Sequence, residues 1–263
     1  MIRAIFFDID GTLLSFQTHA VSASTQKALR LLREKGVKLF LATGRPPKTA
    51  FMFRSSFDFE FDGAVMLNGQ YCMAGNQVIY EKSIPASSIA SLLPYLEEKQ
   101  IPCDFVELDY LYINLLNKET EELVALLGGQ EVLGPQDDVQ RALHNKVYQL
   151  SPFISEAEEE EFLRHVPGCK SARWTSLFTD IIPADGGKPV GMDKMIAHFG
   201  IQPDEVMAFG DGGNDLEMLQ HAHIGVAMGN AVDSVREAAD YITDDVDHDG
   251  IWNALVHYGL LDG

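Results

Sequence analysis

Short apolar runs alternate with helical patterns at both ends of the chain, and this alternation restricts the fold more than any other feature. In the first eighty residues the apolar runs cover 2–9, 37–42 and 63–67, and in the last eighty they cover 205–210, 224–228 and 241–243. The helical patterns between them cover 22–35, 192–199, 214–221 and 231–239. Strands that alternate with helices form parallel sheets with a helix layer on each face. The two ends are therefore predicted to build one α/β core with a doubly wound parallel sheet.

The middle of the chain has a different pattern. Its strand patterns alternate in polarity over 110–115 and 146–150, and its helical patterns carry acidic faces over 118–127 and 156–164. Pro85 and Pro183 stand near the two edges of this segment, where linkers are expected. We predict two domains from this change: a core formed by residues 1–82 and 185–263, and an α+β cap inserted at 83–184.

The charge and the cysteine content exclude several classes of protein. The chain has 39 acidic and 20 basic side chains and a formal net charge of −19, whereas nucleic acids and anionic membranes bind clustered Lys and Arg. Neither is an expected partner. The three cysteines form no CxxC pair, and no apolar stretch approaches the ~18 residues that a transmembrane helix needs. A cytoplasmic protein is predicted, and the sequence leaves its oligomeric state open.

The first apolar run ends in the string DIDGT, at residues 8–12. Alternate side chains of a strand point to the same side, so Asp8 and Asp10 share one, and Gly11 permits a sharp turn after them. The carboxyl ends of the strands form the ligand crevice of a doubly wound sheet. Two acids at this place are either a solvated strand end or a catalytic pair, and the string alone does not decide.

Three further strand ends carry polar strings. ATGR, at 42–45, places a Thr hydroxyl and backbone N–H groups before a helix, as a phosphate cradle or as a simple N-cap would. GDGGND, at 210–215, offers oxygen ligands of the kind that Mg²⁺ prefers, or a glycine-rich turn with an Asn or Asp cap. Asn68-Gly69 is predicted as a hairpin-type turn that leads into two short strands.

Taken together, DIDGT, ATGR, Lys188 and GDGGND resemble the four ordered motifs of the haloacid dehalogenase (HAD) phosphohydrolase superfamily. The cap inserted between the second and third motifs is similar to the Cof-type sugar-phosphatase branch, as are VAMGNA near Met228 and DGIWNAL near Gly250. Pro189-Val190-Gly191 follows Lys188, whereas many relatives place a Gly directly after this lysine. Lys194 is therefore an alternative third-motif lysine, and Lys188 is favoured because it precedes a predicted helix.

The resemblance implies a Mg²⁺-dependent phosphatase that works through an aspartyl-phosphate. Asp8 would be the nucleophile, and Asp10 would act as general acid and then as general base. The implied metal ligands are the Asp8 carboxylate, the Asp10 main-chain carbonyl and Asp211, with Asp215 in support. The implied phosphate-binding residues are Thr43, Gly44, Lys188 and Asn214.

The implied substrate is a small phosphate monoester, with hexose phosphates as the favoured class. The cap would close over the site and select the leaving group. Four residues are candidates for contacting it: Arg45, Tyr110, Arg173 and Trp174. Two alternatives use the same residue types, namely a sugar phosphomutase or phosphotransferase, and a non-enzymatic phospho-acceptor module. A second acid such as Asp10 argues against the latter, which needs a long-lived phosphate.

Overall fold

The strands of the protein form two sheets in the part of the chain that the structure describes, which comprises residues 1–55, 57–118, 120–121 and 133–262 of a computed structural model. The larger sheet consists of β1 (Ala4–Phe7), β2 (Lys38–Ala42), β3 (Gly63–Met66), β4 (Tyr71–Ala74), β5 (Gln77–Glu81), β11 (Val206–Gly210), β12 (Ile224–Ala227) and β13 (Tyr241–Ile242). The smaller sheet consists of β6 (Cys103–Val106), β7 (Leu111–Ile113), β8 (Gln149–Pro152), β9 (Cys169–Ala172) and β10 (Asp180–Pro183).

The larger sheet has the order β13-β12-β11-β1-β2-β3-β4-β5. The strands from β13 to β3 pair in parallel, and β4 and β5 continue the sheet as antiparallel strands. All four side chains of the central strand β1 are buried, because the sheet is covered on both faces. Ile5 and Phe7 pack into one apolar cluster, and Ala4 and Phe6 pack into another. The predicted doubly wound α/β sheet is confirmed.

The segments that supply the strands of the larger sheet contain these described helices: α1 (Ala23–Glu34), α2 (Pro47–Arg54), α5 (Lys188–Phe199), α6 (Leu216–His221), α7 (Asp233–Ala238) and α8 (Gly250–His257). The helices α3 (Ala86–Lys99) and α4 (Glu159–His165) belong to the segment of the smaller sheet. α1 matches its predicted bounds closely because the Ser22 side chain accepts a hydrogen bond from the Thr25 amide and caps the helix. α5 begins four residues earlier than the sequence pattern suggested. Lys188 is therefore its first residue, not part of a preceding loop, and Pro189 fits the first turn.

The smaller sheet is antiparallel throughout and has the order β7-β6-β8-β10-β9. Two helices, α3 (Ala86–Lys99) and α4 (Glu159–His165), pack on one face of it. Leu92 and Phe162 from these helices share an apolar cluster with Phe105, Leu150 and Ile181 from the strands. The opposite face contacts the end of β3, because Asp180 on this face accepts a hydrogen bond from Asn68. This face borders the site described below.

Several predicted elements of the middle segment differ from those observed. The strand predicted over 110–115 is shorter, and the one predicted over 146–150 begins later, at Gln149. α3 was not predicted, since Pro94 interrupts its pattern, although the helix continues through this proline. The helical pattern over 118–127 lies largely outside the described residues. The domain limits at 83 and 184 stay a prediction.

Among the described residues, no helix combines the length and the apolar character needed to cross a membrane.

Candidate active site

The carboxyl ends of β1 and β11 meet the start of α5 at a buried lysine. The Lys188 ammonium lies 2.8 Å from Asp8 Oδ1 and also contacts Asp215 Oδ1. All three side chains are at most 8% exposed. Burial by itself lowers the pKa of Lys188, but attraction to Asp215 and Asp8 outweighs it and raises that pKa overall. The lysine is therefore a fixed positive charge beside Asp8. Lys194, the alternative, is exposed on the same helix over the Tyr80 ring.

Asp211 lies close to both acids that contact the lysine, and two side chains hold it in place. Thr12 Oγ donates to Asp211 Oδ1 at 2.8 Å, and Asn230 Nδ2 lies 3.3 Å from Oδ2. Gly11 has φ +84°, and a Cβ built on it would lie 2.1 Å from Asp211 Oδ2. Only glycine allows this approach of the DIDGT turn to Asp211. The close contact between the DIDGT turn and Asp211, which follows β11, therefore depends on Gly11.

Three buried carboxylates, those of Asp8, Asp211 and Asp215, offer oxygen atoms within 4.8 Å of one another. Both carboxylate oxygens of Asp215 already accept hydrogen bonds, Oδ1 from Lys188 and Oδ2 from the Asp211 and Gly212 amides. Asp215 is therefore less available than Asp8 and Asp211 as a ligand for a cation. Burial, followed by repulsion from Asp215, raises the pKa of Asp8 to about 7, with Lys188 opposing. Burial, followed by repulsion from Asp8, raises the pKa of Asp211 to about 8. Without a further cation, burial and mutual repulsion therefore favour the protonated forms of Asp8 and Asp211, although Lys188 lies beside Asp8.

Asp10 follows the end of β1, close enough to Asp8 to raise the pKa of that residue, and both of its carboxylate oxygens are engaged by Arg45. Arg45 Nε lies 2.8 Å from Asp10 Oδ2, and Nη2 contacts Oδ1. This is the bidentate geometry in which a guanidinium orients a carboxylate most firmly. Arg45, a candidate for substrate contact, is therefore paired with the predicted general acid, and both side chains are about 30% exposed or less.

The strings at the ends of β2 and β11 approach each other through Asn68, whose backbone is left-handed at φ 50°. Asn214 Nδ2 donates to Asn68 Oδ1 at 3.0 Å. A Cβ built on Gly44 would lie 3.2 Å from Asn68 Nδ2. Thr43 is buried, and its hydroxyl accepts a hydrogen bond from the Arg45 amide. The structure thus brings Thr43, Gly44 and Asn214 to one edge of the sheet.

Two residues that sequence reasoning missed hold this arrangement together. Asn68 was interpreted only as a turn, yet it is 1% exposed and joins Asn214 to the smaller sheet by donating to Gln149 and Asp180. Asn230 joins Asp211 to the Gly11 carbonyl. Asn68 follows a strand of the parallel sheet, so the strand-end argument applied to Asp8 would have selected it as well.

The candidates in the middle segment are placed differently from one another. Trp174 lies beside Asp180 and close to Gly212, where a built Cβ would be 3.3 Å from Trp174 Cβ. The Arg173 guanidinium is not brought to the acidic cluster. It binds Glu159 and the carbonyls of 154, 175 and 178. Tyr110 donates to Asp137 and stacks on Tyr112. Of these three, Trp174 thus lies at the edge of the site, and Arg173 reaches it with its backbone alone, since its carbonyl oxygen would lie 2.5 Å from a Cβ built on Gly213.

The described residues thus form an α/β protein that has a cluster of buried acids at the carboxyl edge of its parallel sheet and a second, antiparallel sheet beside it. The chain belongs to the family of haloacid dehalogenase-like hydrolases, whose sequence profile matches residues 5–255. The resemblance inferred from the four motifs, to a HAD hydrolase of the Cof-type branch, is confirmed, and so is the prediction of an enzyme.

Relatives cover almost the whole chain. YkrA of Bacillus subtilis (strain 168), which carries a provisional phosphatase name, is 33% identical over 260 residues, 98% of each protein. The solved structure of BT4131, a HAD subclass IIB sugar phosphatase, is 41% identical and has a TM-score of 0.88 over 98% of this chain and 100% of its own. BT1666 from Bacteroides thetaiotaomicron, studied among HAD phosphatases, is 32% identical with a TM-score of 0.91, over 99% and 96%.

Proposed function

We propose that this hydrolase is a phosphatase that cleaves small phosphate monoesters, sugar phosphates foremost, through a covalent phosphoryl group on Asp8. The observation that carries the proposal is the buried Asp8 carboxylate, held 2.8 Å from the Lys188 ammonium at the carboxyl edge of the parallel sheet. A phosphatase name for YkrA and the sugar phosphatase BT4131 support the same class of reaction. The sugar-phosphate class is the finer part of the proposal.

The donor set of the site fits Mg²⁺. Asp8 and Asp211 offer only oxygen, which hard cations prefer, and together with Asp215 they form a cluster of three buried acids that has one buried ammonium, that of Lys188, among the described residues. The Asp8 carboxylate, the Asp10 main-chain carbonyl and Asp211 would hold the ion, with Asp215 in support. When bound, the ion supplies positive charge against the anionic phosphoryl group and its developing transition state.

The chain's own residues divide the reaction into two displacements. In the first, an Asp8 oxygen forms a bond to phosphorus while the bond from phosphorus to the ester oxygen breaks, and Asp10 gives that oxygen a proton. In the second, Asp10 takes a proton from water, the water oxygen bonds to phosphorus, and the bond to Asp8 breaks. The products are the alcohol and inorganic phosphate. Asp10 would exchange its pairing with Arg45 for the leaving oxygen.

Positive charge and backbone donors would hold the transferring group. Lys188 donates to Asp8, and its ammonium would stabilise the phosphoryl oxygens as they gain charge during transfer. Thr43, the Gly44 amide and Asn214 would bind the phosphoryl oxygens. The segment 83–184 would act as the cap that excludes water before the chemistry. The unpaired cysteines support a reducing, cytoplasmic setting.

Hydrolysis of p-nitrophenyl phosphate tests the function and the ion together. We expect turnover in Mg²⁺, loss of it after EDTA treatment, and recovery when Mg²⁺ is added back, because two buried acids are uncompensated without a cation. Circular dichroism before and after chelation serves as the control for folding. Full activity in EDTA would remove the ion from the proposal, and no turnover of any phosphate ester by the Mg²⁺-loaded protein would refute the phosphatase.

A further inference from the structure

A row of polar side chains crosses the face of the smaller sheet that does not pack against α3 and α4. Asp104 on β6 stands opposite Ser151 on β8, and the pairing of Leu150 with Ile181 places Ser151 opposite Asp180 on β10. The three side chains share one face because directly opposed residues of antiparallel strands do so. Ser151 Oγ donates to Asp180 Oδ1 at 2.8 Å. We call these three residues the acid row, and all of them are buried.

One end of the acid row touches the candidate active site. Asn68 Nδ2 donates to Asp180 Oδ2 at 2.9 Å, and the same oxygen would lie 3.3 Å from a Cβ built on Gly44. From there the row leads away from the larger sheet's edge, past Ser151 to Asp104. The part of a phosphate ester that extends beyond a phosphoryl group at Gly44 would therefore meet this face first.

Aromatic and apolar side chains border the acid row. Trp174 packs edge-to-face on Phe178, with ring centroids 5.2 Å apart, and the two share an apolar cluster with Ile113 and Phe153. Ile113 is also the residue opposite Asp104 on β7. Hydrogen-bond acceptors next to an aromatic surface are the combination that suits a polyhydroxylated ligand, whose hydroxyl groups donate and whose C–H faces pack on rings.

Asp104 differs from Asp180 in having an acceptor that nothing satisfies. Asp180 accepts from Ser151, Asn68 and Trp174, whereas Asp104 Oδ1 is buried without a hydrogen-bond partner among the described residues. Asp104 is 6% exposed, its carboxyl group accepts a hydrogen bond from the Gly134 amide, and no cation among the described residues contributes to its electrostatics. Burial and then repulsion from Asp180 raise its pKa to about 8. An orphaned carboxyl oxygen of this kind costs stability and calls for a partner from outside the protein.

We propose that Asp104 is a specificity-determining residue, which accepts a hydrogen bond from a hydroxyl group of the leaving group; this rests on the proposed phosphatase function. The carboxyls of the acid row favour donors, namely hydroxyl or ammonium groups. Asp180, whose pKa burial raises only to about 6, is mostly ionised at pH 7 and disfavours a second anion, such as another phosphate or a carboxylate. The site is thus selective for phosphate esters of neutral or amino polyols over bisphosphates and phosphorylated acids.

Two substitutions at position 104 separate the effect on specificity from an effect on chemistry. Asp104→Leu removes the acceptor, and Asp104→Asn keeps one acceptor oxygen. For each variant, kcat/KM is measured with p-nitrophenyl phosphate, which has no hydroxyl group, and with a panel of hexose phosphates. We expect the ratio of the best hexose phosphate to p-nitrophenyl phosphate to fall at least tenfold in Asp104→Leu. Asp104→Asn should recover part of the loss.

The matched control is Asp109→Asn, which changes an exposed acid between β6 and β7 and should leave the ratio unchanged. Equal losses on both substrates, or an unchanged ratio in Asp104→Leu, would overturn the proposal for Asp104. So would a wild-type protein that hydrolyses p-nitrophenyl phosphate but no hexose phosphate. A wild-type protein that hydrolyses no ester at all would instead remove the phosphatase function on which the proposal depends.

Discussion

The protein buries acids in two places, and it treats their charge differently. In the larger sheet Asp8 and Asp215 share the Lys188 ammonium, and Asp215 also accepts two backbone amides. In the smaller sheet Asp104 lies two strands away from Asp180, has no cation beside it among the described residues, and keeps one oxygen unsatisfied. Burying a charge without a partner is costly, so the two arrangements have different consequences for stability. Lys188 compensates part of the charge where the reacting groups are fixed, whereas the described residues supply no cation beside Asp104, where a leaving group would be bound.

The largest effect is expected from removing the shared cation. Lys188→Met leaves two buried carboxylates without it, which should lower the free energy of unfolding of the metal-free protein by about 3–5 kcal/mol at pH 7. Turnover of p-nitrophenyl phosphate should fall by about 10²-fold or more, since one preorganised charge at the reacting group is lost. Urea unfolding and steady-state kinetics measure the two effects.

Lys194→Met is the matched control, because Lys194 lies exposed on the same helix over the Tyr80 ring. Its effect on the free energy of unfolding should stay within about 0.5 kcal/mol. If both lysine variants lost stability equally, the shared cation at Lys188 would not be what stabilises the acids of the larger sheet.

In the smaller sheet, replacing a buried acid should raise the free energy of unfolding. The increase should be smaller than the decrease expected for Lys188→Met. Burial and then repulsion from Asp180 raise the pKa of Asp104 from 3.8 to about 8, so the folded protein binds more protons than the unfolded chain between those pH values. Stability contributed by this group must then fall as the pH rises through that window. Asp104→Asn removes this penalty and should be more stable than wild type by about 1–3 kcal/mol near pH 8, with almost no difference near pH 4.

Thermal unfolding across pH 4 to 8.5 checks the difference, with Asp109→Asn as an exposed acid that should show no such trend. Asp180 faces Asp104 from two strands away and also has a raised pKa, of about 6, caused first by burial. It is present in both proteins, so the comparison isolates position 104. A variant that is less stable than wild type at pH 8 would show that Asp104 has a structural partner after all.

The contrast between the two regions also explains what the sequence could predict. The residues that the sequence could predict lie in short strings at the ends of parallel strands or at a helix start: Asp8, Asp10, Gly44, Lys188 and Asp211. The topology of the fold brings such ends together. Lys188 was favoured over Lys194 because it was expected in the loop before a helix predicted to begin at 192, and the structure makes it the first residue of that helix.

The acid row could not be predicted in the same way. Asp104, Ser151 and Asp180 are far apart in the sequence and meet only through the register of β6, β8 and β10, which no local pattern specifies. Arg173 and Tyr110 were chosen for their chemistry alone, and other residues of the same segment bind both of them. Side-chain type predicts a contact poorly where tertiary pairing decides it.

The covalent phosphoryl group on Asp8 is the central claim, and trapping it is the most direct test. Asp10→Asn should slow the second displacement far more than the first with p-nitrophenyl phosphate, because this leaving group needs little help from an acid while water still needs a base. Acid quenching after mixing with Mg²⁺ and the ester, followed by peptide mass spectrometry, should place about one phosphoryl group per chain on Asp8, and none in an Asp8→Asn protein. A burst of p-nitrophenol without phosphate on the protein, or phosphate on another residue, would contradict the account.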